Sequence, residues 1–244
     1  MKQSIFEIQE NTFLTPNVLK MTLKGDTSDI TASGQFVNIL LDGFYLRRPI
    51  SVCDLEGDIL TIIYKVVGKG TEQMSKMKKG SLDILTGLGN GYDLTQAGDR
   101  PLLLGGGVGV PPMYLLAKQL LAKGKEVTIV LGFNTKEEVF YEKEFKEIGA
   151  KVIVCTADGS YGEKGFVTTV MDRLDYSYFY TCGPEPMLKA IYNASKTNGQ
   201  FSFEERMGCG FGACMGCSCK TIYGNKRICK DGPVLKKEEI LWQK

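Results

Sequence analysis

Residues 101–112 read PLLLGGGVGVPP, a short apolar run followed by a glycine-rich turn and two prolines. A buried strand that leads through such a turn into a helix presents backbone amides and the helix N-terminus to a diphosphate group. Val110 stands where the G-x-G-x-x-G fingerprint has its last glycine, so the turn alone is a weak signal. Its position between a predicted strand and a predicted helix indicates a dinucleotide-binding loop that contains Gly105, Gly106, Gly107 and Gly109.

The sequence around this loop alternates strand and helix patterns. Continuous apolar runs, typical of parallel strands covered on both faces, occur at 101–104, 126–131, 151–155 and 178–181. Helical patterns that end at a glycine are predicted over 112–123, 137–148 and 185–198. We therefore expect a doubly wound parallel α/β nucleotide domain over 99–200.

The first 98 residues follow a different rhythm. Short runs rich in β-branched residues, separated by Gly and Asp turns, occur at 35–40, 48–53, 60–65 and 81–85. This pattern predicts a small antiparallel β-barrel, interrupted by one short helix near 71–77.

Two barrel segments could hold phosphate and flavin groups. In the segment Arg47-Arg48-Pro49-Ile50-Ser51, an arginine can pair with a diphosphate and the Ser51 hydroxyl can hydrogen-bond a flavin ring nitrogen. Arg-Pro pairs are also common at strand starts, so by itself this segment has a simpler structural interpretation. Gly68-Lys69-Gly70-Thr71 adds a second glycine-rich turn into a helix, and hence a second candidate phosphate site.

The C-terminal 201–244 contains a cysteine-rich loop. Cys209, Cys214 and Cys217 have the C-x4-C-x2-C spacing of plant-type [2Fe-2S] clusters, which take their fourth ligand from a more distant cysteine. Glycines between them allow the tight loop that four thiolates need. Structural zinc is the alternative, but it usually shows paired C-x2-C knuckles, and only one such pair is present here. We expect a small [2Fe-2S] cluster subdomain.

Cys219 and Cys229 compete for the fourth ligand position. Clusters of this type take the fourth ligand from a more distant cysteine, and Cys219 lies two residues beyond Cys217 whereas Cys229 lies twelve beyond it. Cys229, on a returning segment, is the better candidate, and Cys219 stays open as the other. Cys53 and Cys155 lie in apolar runs and are interpreted as buried residues.

Two further segments belong to the expected nucleotide site. Cys182-Gly183-Pro184 follows the strand predicted at 178–181, where a thiol can approach a nicotinamide ring; a small buried residue before a turn is an equal alternative. Gly132 to Glu137 follows the strand at 126–131, where an adenine ribose would lie. It contains no arginine and has two acids close by, which favours NAD over NADP.

Composition excludes several classes of protein. The 244 residues carry a formal net charge of +2 without long charge runs, which predicts no nucleic-acid partner. No apolar stretch is long enough for a membrane span and no signal-like segment opens the chain, so we expect a cytoplasmic protein. The chain has no histidine, which removes Ser-His-Asp triads, Cys2His2 zinc and Rieske clusters.

The combination of motifs resembles the ferredoxin reductase superfamily, and within it the electron transfer subunits of dihydroorotate dehydrogenase B, over essentially the whole chain. The resemblance depends on the motifs above together with Asp158-Gly159-Ser160-Tyr161-Gly162, Gly165-Phe166-Val167-Thr168 and Cys229-Lys230-Asp231-Gly232-Pro233-Val234. It implies that FAD is bound by the segment Arg48-Pro49-Ile50-Ser51, by Ile63, Tyr64 and Lys65, and by Gly70 and Thr71. It also implies that the cluster is bound by Cys209, Cys214, Cys217 and Cys229.

The resemblance further implies a function in pyrimidine biosynthesis. An FMN-containing dihydroorotate dehydrogenase catalytic subunit would pass electrons through the [2Fe-2S] cluster and FAD of this chain to NAD+, in a heterotetramer of two copies of each subunit. The chain would be inactive on dihydroorotate alone. Ser51 beside the flavin and Cys182 beside the nicotinamide are the candidate catalytic residues. Two alternatives are an NAD(P)H-linked iron-sulfur flavoprotein subunit of a sulfide, sulfite or hydrogenase complex, and a zinc-stabilised nucleotide-binding module.

Overall fold

The structure of the chain, a computed structural model, describes residues 1–242. Its N-terminal part is a closed barrel of six antiparallel strands, β1 (Lys2–Thr15), β2 (Val18–Lys24), β3 (Phe36–Leu40), β4 (Arg48–Glu56), β5 (Ile59–Lys65) and β6 (Ser81–Leu88). The strands pair in the order β1-β2-β5-β4-β3-β6. Helix α1 (Lys69–Lys76) connects β5 to β6 and packs Met74 against the barrel core. Strand alternation divides β3 between two cores, because Val37 and Ile39 pack inside the barrel while Phe36 packs against the C-terminal half of the chain.

The central part is a parallel sheet with helices. Its strands are β7 (Pro101–Gly106), β8 (Thr128–Phe133), β9 (Lys151–Thr156), β10 (Glu163–Lys164), β11 (Tyr178–Cys182) and β12 (Gly199–Ser202). The helices are α2 (Pro112–Ala122), α3 (Glu142–Glu147), α4 (Val167–Met171) and α5 (Glu185–Ala194). The strand order is β10-β9-β8-β7-β11-β12, so the direction of winding reverses between β7 and β11. Ligands of such sheets bind at this switch point, outside the carboxyl ends of the strands.

The C-terminal part returns to the same sheet. A hairpin of β13 (Ser218–Thr221) and β14 (Gly224–Arg227) follows the cysteine-rich loop and leads into the single turn α6 (Ile228–Asp231). Strand β15 (Val234–Lys236) then pairs antiparallel with β12 and forms the sheet edge. The predicted fold class is therefore confirmed, whereas the limits 1–98, 99–200 and 201–244 stay predictions, and the last two positions lie outside the described residues.

Two helix predictions were too long. The segment predicted as one helix over 137–148 contains a 3₁₀ turn at Lys136–Glu138 and then α3, because Tyr141 adopts a left-handed backbone conformation (φ 66°) that interrupts the helix. The helix predicted to run to Asn198 ends at Ala194, since Gly199 already belongs to β12. The prediction over 112–123 is confirmed to within one residue by α2.

The barrel and the sheet share one hydrophobic core. Cys53 and Ile63 of the barrel pack in the same cluster as Val110 and Met113 at the start of α2. On the solvent side of this contact, Lys118 Nζ of α2 lies 2.8 Å from both carboxylate oxygens of Asp54. The contact places the glycine-rich loop at the start of α2 beside strands β4 and β5. Among the described residues, no helix is long and apolar enough to cross a membrane.

Candidate functional site

Arg48 and Gly70 lie side by side where strand β4 and helix α1 begin. Arg48 is the first residue of β4, and its guanidinium carbon lies 4.6 Å from the centre of the Phe44 ring. A Cβ atom on Gly70 would lie 2.3 Å from Arg48 Nε, so only glycine leaves room for this arginine. With residues 67–69 and Thr71, these side chains line a cavity of about 230 Å³. A cation beside the N-terminus of α1 suits a diphosphate.

Thr71 shapes the turn on which this site depends. Its hydroxyl oxygen accepts hydrogen bonds from the amides of Val67 (3.0 Å) and Gly68 (3.3 Å). These bonds satisfy amides that precede the helix and hold the glycine turn against Arg48. Thr71 is itself buried, so its hydroxyl has a structural role in this turn.

The neighbouring Arg47 has a different role from Arg48. Its Nη1 lies 2.8 Å from Asp83 Oδ1 and also donates to the carbonyl oxygens of Asp83 (3.1 Å) and Asn38 (3.3 Å). The guanidinium beside Asp83 lowers the pKa of that carboxyl, although its burial acts in the opposite direction. Arg47 therefore ties β3 to β6, and Arg48 alone of this pair faces the cavity.

The remaining residues expected at the flavin lie on neighbouring strands but differ in exposure. Half-buried Ser51 pairs with Phe36 of β3, and Pro49 pairs with Asn38. Ile50 packs against the barrel core. Ile63 is buried between the barrel and the sheet, and Lys65 is half-buried.

Tyr64 is the exception among the residues expected at the flavin. Its side chain is 2% exposed and lies in the barrel core, where its hydroxyl donates to Asn11 Oδ1 at 3.0 Å. Burial raises its pKa to about 12, although the bond with Asn11 acts in the opposite direction. A flavin can therefore meet only the backbone of Tyr64.

The structure brings the glycine-rich loop and the Cys182-Gly183-Pro184 turn together at the switch point. Gly105 of β7 pairs with Cys182 of β11. A Cβ atom on Gly109 would lie 2.2 Å from the Cys182 carbonyl oxygen and 2.6 Å from the Gly183 amide nitrogen. Because these are backbone atoms of a buried strand end, no larger residue than glycine fits at 109. Between Gly105 and Gly109, Gly107 turns the chain with a positive φ of 52°.

Cys182 is a neutral thiol in this setting. Burial raises its pKa to about 12, and a hydrogen bond with Ser202 opposes this increase only in part. At neutral pH the group is therefore protonated, which suits contact with a ring and does not suit attack as a thiolate.

The far end of the nucleotide edge is acidic. Glu137 and Asp158 follow β8 and β9, and Glu138 Oε2 accepts hydrogen bonds from the Asn134 amide (3.1 Å) and side chain (2.9 Å). Hydrogen bonds from Ser160 lower the pKa of Asp158, so this group is ionised at neutral pH. A 2′-phosphate would meet like charge here, which favours NAD.

Backbone amides surround the sulfur atoms of the cysteine-rich loop. Cys209 Sγ accepts from the amides of Ala213 (3.2 Å) and Cys214 (3.4 Å), and Cys214 Sγ accepts from those of Cys209 and Gly216 (both 3.5 Å). Burial opposes ionisation of Cys209, but the surrounding amide hydrogen bonds outweigh it and lower its pKa to about 6. Amides directed at sulfur are the outer contacts that stabilise iron-bound thiolates.

Cys229 is the cysteine that joins this group. It is 2% exposed, as is Cys217, and its amide donates to Cys217 Sγ at 3.4 Å. Burial, a hydrogen bond with Cys217 and the negative charge of neighbouring sulfurs raise its pKa to about 12. Cys219 instead lines a cavity of about 340 Å³ with Glu205 and Trp242. Amide–sulfur hydrogen bonds thus pair Cys209 with Cys214 and Cys217 with Cys229, whereas none is formed by Cys219 among the described residues.

Arg227 links the cysteine-rich loop to α6, the turn that contains Cys229. Arg227 Nε and Nη2 bind the two carboxylate oxygens of Asp231 (2.9 and 3.2 Å), while Nη1 donates to the Gly212 carbonyl at 3.0 Å. The Ile228 amide also donates to the Cys217 carbonyl at 3.1 Å. These contacts hold the loop against α6.

Soft thiol ligands, directed amides and glycines at crowded positions suit an iron-sulfur cluster. Within residues 1–242, no three Cys, Asp or Glu side chains lie close enough to hold a single metal ion. The roles of individual residues at FAD, NAD and the cluster stay predictions. Sequence reasoning missed Asn38 and Arg227, which donate to the carbonyl oxygens of Cys209 and Gly212 in the loop; an asparagine inside the apolar run 36–40 was the one visible signal.

Two family models match the chain. The iron-sulfur cluster binding domain of dihydroorotate dehydrogenase B matches residues 204–241, and the oxidoreductase NAD-binding domain matches 103–193. Both matches agree with the positions of the cysteine-rich loop and the parallel sheet, and they confirm the predicted iron-sulfur and NAD-binding parts.

Similar proteins cover nearly the whole chain. The electron transfer subunits of dihydroorotate dehydrogenase B (NAD(+)) from Fusobacterium nucleatum subsp. nucleatum and Bacillus pumilus are 45% and 44% identical, over 96% and 98% of both chains. A solved structure of an NADH-dependent reduced ferredoxin-NADP oxidoreductase has a TM-score of 0.89 at 32% identity, covering 97% of this chain and 90% of that one. A ferredoxin NADP+ reductase from Neisseria gonorrhoeae with bound FAD and NADP shares the fold, with a TM-score of 0.68 at 19% identity over 80% of this chain and 90% of that one.

Proposed function

Because this chain belongs to the family of dihydroorotate dehydrogenase B electron transfer subunits, we propose that it passes electrons from dihydroorotate oxidation in a partner subunit to NAD+. The partner carries FMN, and the assembly contains two copies of each subunit in the cytoplasm. Dihydroorotate loses two electrons and two protons to become orotate. NAD+ takes up two electrons and one proton as a hydride, and the second proton is released.

The contact between the cysteine-rich loop and the barrel carries this proposal. Phe36 shares a hydrophobic core with Cys217 and Cys229, and it pairs with Ser51 on the neighbouring strand. The residues proposed to hold the cluster and the flavin thus meet across a single strand, β3. When bound, FAD exchanges two electrons with nicotinamide and single electrons with an iron-sulfur cluster.

The chain's own residues bind and orient these groups. Arg48 and the turn at Gly70 hold the diphosphate of FAD, and the loop from Gly105 to Gly109 holds that of NAD. Cys182 contacts the nicotinamide ring as a neutral thiol and does not attack it as a nucleophile. The acids after β8 and β9 select NAD over NADP.

The partner subunit docks on the surface around the cysteine-rich loop. Phe211 is 42% exposed and Met215 53%, and at the tip of the β13–β14 hairpin Tyr223 is 69% exposed. Large exposed apolar side chains of this kind are typical of protein interfaces. A partner bound here brings its own redox group close to the cluster ligands.

Reconstitution with the FMN subunit tests this function. We expect the mixture to form orotate and NADH together from dihydroorotate and NAD+, while this chain alone forms neither. The rates of orotate and NADH formation are followed separately by absorbance. A mixture that forms a complex and reduces no NAD+ contradicts the assignment.

A role in another NAD(P)H-linked complex is the second candidate, because the NADH-dependent reduced ferredoxin-NADP oxidoreductase covers the chain with the cysteine-rich part included. The same mixture, supplemented with reduced ferredoxin, distinguishes the two. Reduction of NAD+ by reduced ferredoxin without dihydroorotate-dependent NADH formation favours this second function.

A further inference from the structure

Asn38 is a buried carboxamide on the outer face of barrel strand β3, directly under the cysteine-rich loop. It is 1% exposed, while its neighbours Val37 and Ile39 point into the barrel core. Its Nδ2 donates to the carbonyl oxygen of Cys209 at 3.2 Å. In the sheet it pairs with Pro49, so it lies beside the strand proposed to bind flavin.

The loop approaches this side chain very closely. A Cβ atom on Gly210 would lie 2.3 Å from Asn38 Nδ2, and Gly210 has a left-handed backbone with φ 81°. Only glycine therefore allows the peptide after Cys209 to lie on the carboxamide. From the barrel side, Arg47 donates to the Asn38 carbonyl and fixes the backbone of this residue.

The carboxamide is costly to bury at this position. Asn38 Oδ1 is one of two buried side-chain atoms without a hydrogen-bond partner in the part of the chain that the structure describes. An unpaired buried acceptor destabilises the folded state. An apolar residue at this position would avoid that cost, so the Nδ2 donor needs a compensating role.

We propose that Asn38 is a positioning residue that holds the Cys209 end of the cluster loop at a fixed place beside the flavin strand. Asn38 acts through the Cys209 carbonyl oxygen, to which its Nδ2 donates. It sets the orientation of one cluster ligand and the separation of cluster and flavin, as outer contacts do at other metal sites. This inference depends on the cofactors of the proposed function but not on the partner subunit.

Reduction of the full-length chain by NADH tests this inference without dihydroorotate or the partner. Asn38→Ala and Asn38→Asp are compared with Gln35→Ala, a matched control. Gln35 is a buried amide immediately before the same strand, and its Nε2 donates to the Gly89 carbonyl oxygen at 3.0 Å. Among the described residues its side chain has no hydrogen bond with the cysteine-rich loop. Iron and FAD contents, the EPR spectrum of the reduced cluster and single-turnover rates of flavin and cluster reduction are measured.

We expect both Asn38 variants to shift the EPR spectrum and to slow cluster reduction about 10- to 100-fold, with flavin reduction unchanged. Asn38→Asp has the larger effect, because it replaces the Nδ2 donor with a carboxylate oxygen that would face the Cys209 carbonyl. Gln35→Ala is expected to lower thermal stability and leave spectrum and rates unchanged. Loss of iron from either Asn38 variant, with FAD content unchanged, also supports the inference. A wild-type spectrum and rate in Asn38→Asp, or equal effects in the Gln35 control, would overturn the inference.

Discussion

Cys229→Ser is expected to abolish assembly of the [2Fe-2S] cluster, whereas Cys219→Ser is expected to leave the cluster in place. Cys229 is buried beside Cys217, and its amide already donates to the Cys217 sulfur at 3.4 Å. Arg227 fixes the loop to the same turn through Asp231 and Gly212. Cys219 belongs to β13 and lines the cavity next to Trp242. A hydroxyl is a poor substitute for a soft thiolate ligand of iron.

Iron and acid-labile sulfide per chain, with the visible absorption spectrum, measure this effect in anaerobically purified protein. Cys219→Ser is the matched control, because it removes a thiol from the same subdomain and leaves the four proposed ligands intact. Cluster loss in Cys219→Ser with retention in Cys229→Ser would reverse the ligand assignment.

Gly70→Ala is expected to weaken FAD binding about 10- to 100-fold. The added methyl carbon would lie 2.3 Å from Arg48 Nε, so the flexible arginine has to move away from the cavity while the backbone can stay in place. A charge-assisted hydrogen bond to phosphate contributes about 1.5–3 kcal/mol, and each 1.4 kcal/mol is about tenfold in affinity. Flavin fluorescence during titration of apoprotein with FAD measures the change.

Ser75→Ala is the control for this substitution. Ser75 is in the same helix, its hydroxyl donates to the Glu72 carbonyl oxygen at 2.8 Å, and it does not line the Arg48 cavity. We expect Ser75→Ala to bind FAD like the wild type, and both variants to unfold at similar temperatures. Wild-type FAD affinity in Gly70→Ala would show that Arg48 does not contact the diphosphate.

The features predicted correctly from sequence are those encoded by short, contiguous patterns. The glycine-rich turn at 105–109 and the close cysteines at 209, 214 and 217 carry their chemistry in local spacing, and both are where they were expected. The apolar runs predicted the parallel strands because burial on both faces leaves few positions for polar residues. Helix α2 was predicted to within one residue because Pro112 and Gly124 mark its two ends.

The features that sequence could not predict depend on contacts between distant residues. Asn38 and Cys209 are 171 positions apart, and nothing in either segment indicates that they touch. Tyr141 sits in an otherwise helical pattern, but its ring packs in the core between barrel and sheet, and its backbone becomes left-handed. Tertiary packing here outweighs helix propensity. Strand β15 is only three residues long, and its position at the sheet edge depends on its pairing with β12.

Titration of the anaerobically purified chain with NADH, followed by visible absorption and EPR, tests the proposed cofactors most directly. We expect about one FAD and about two iron ions per chain, bleaching of the flavin band, and the EPR signal of a reduced [2Fe-2S] cluster. A colourless protein that contains zinc and no flavin would contradict the proposed function and favour a zinc-stabilised nucleotide-binding module.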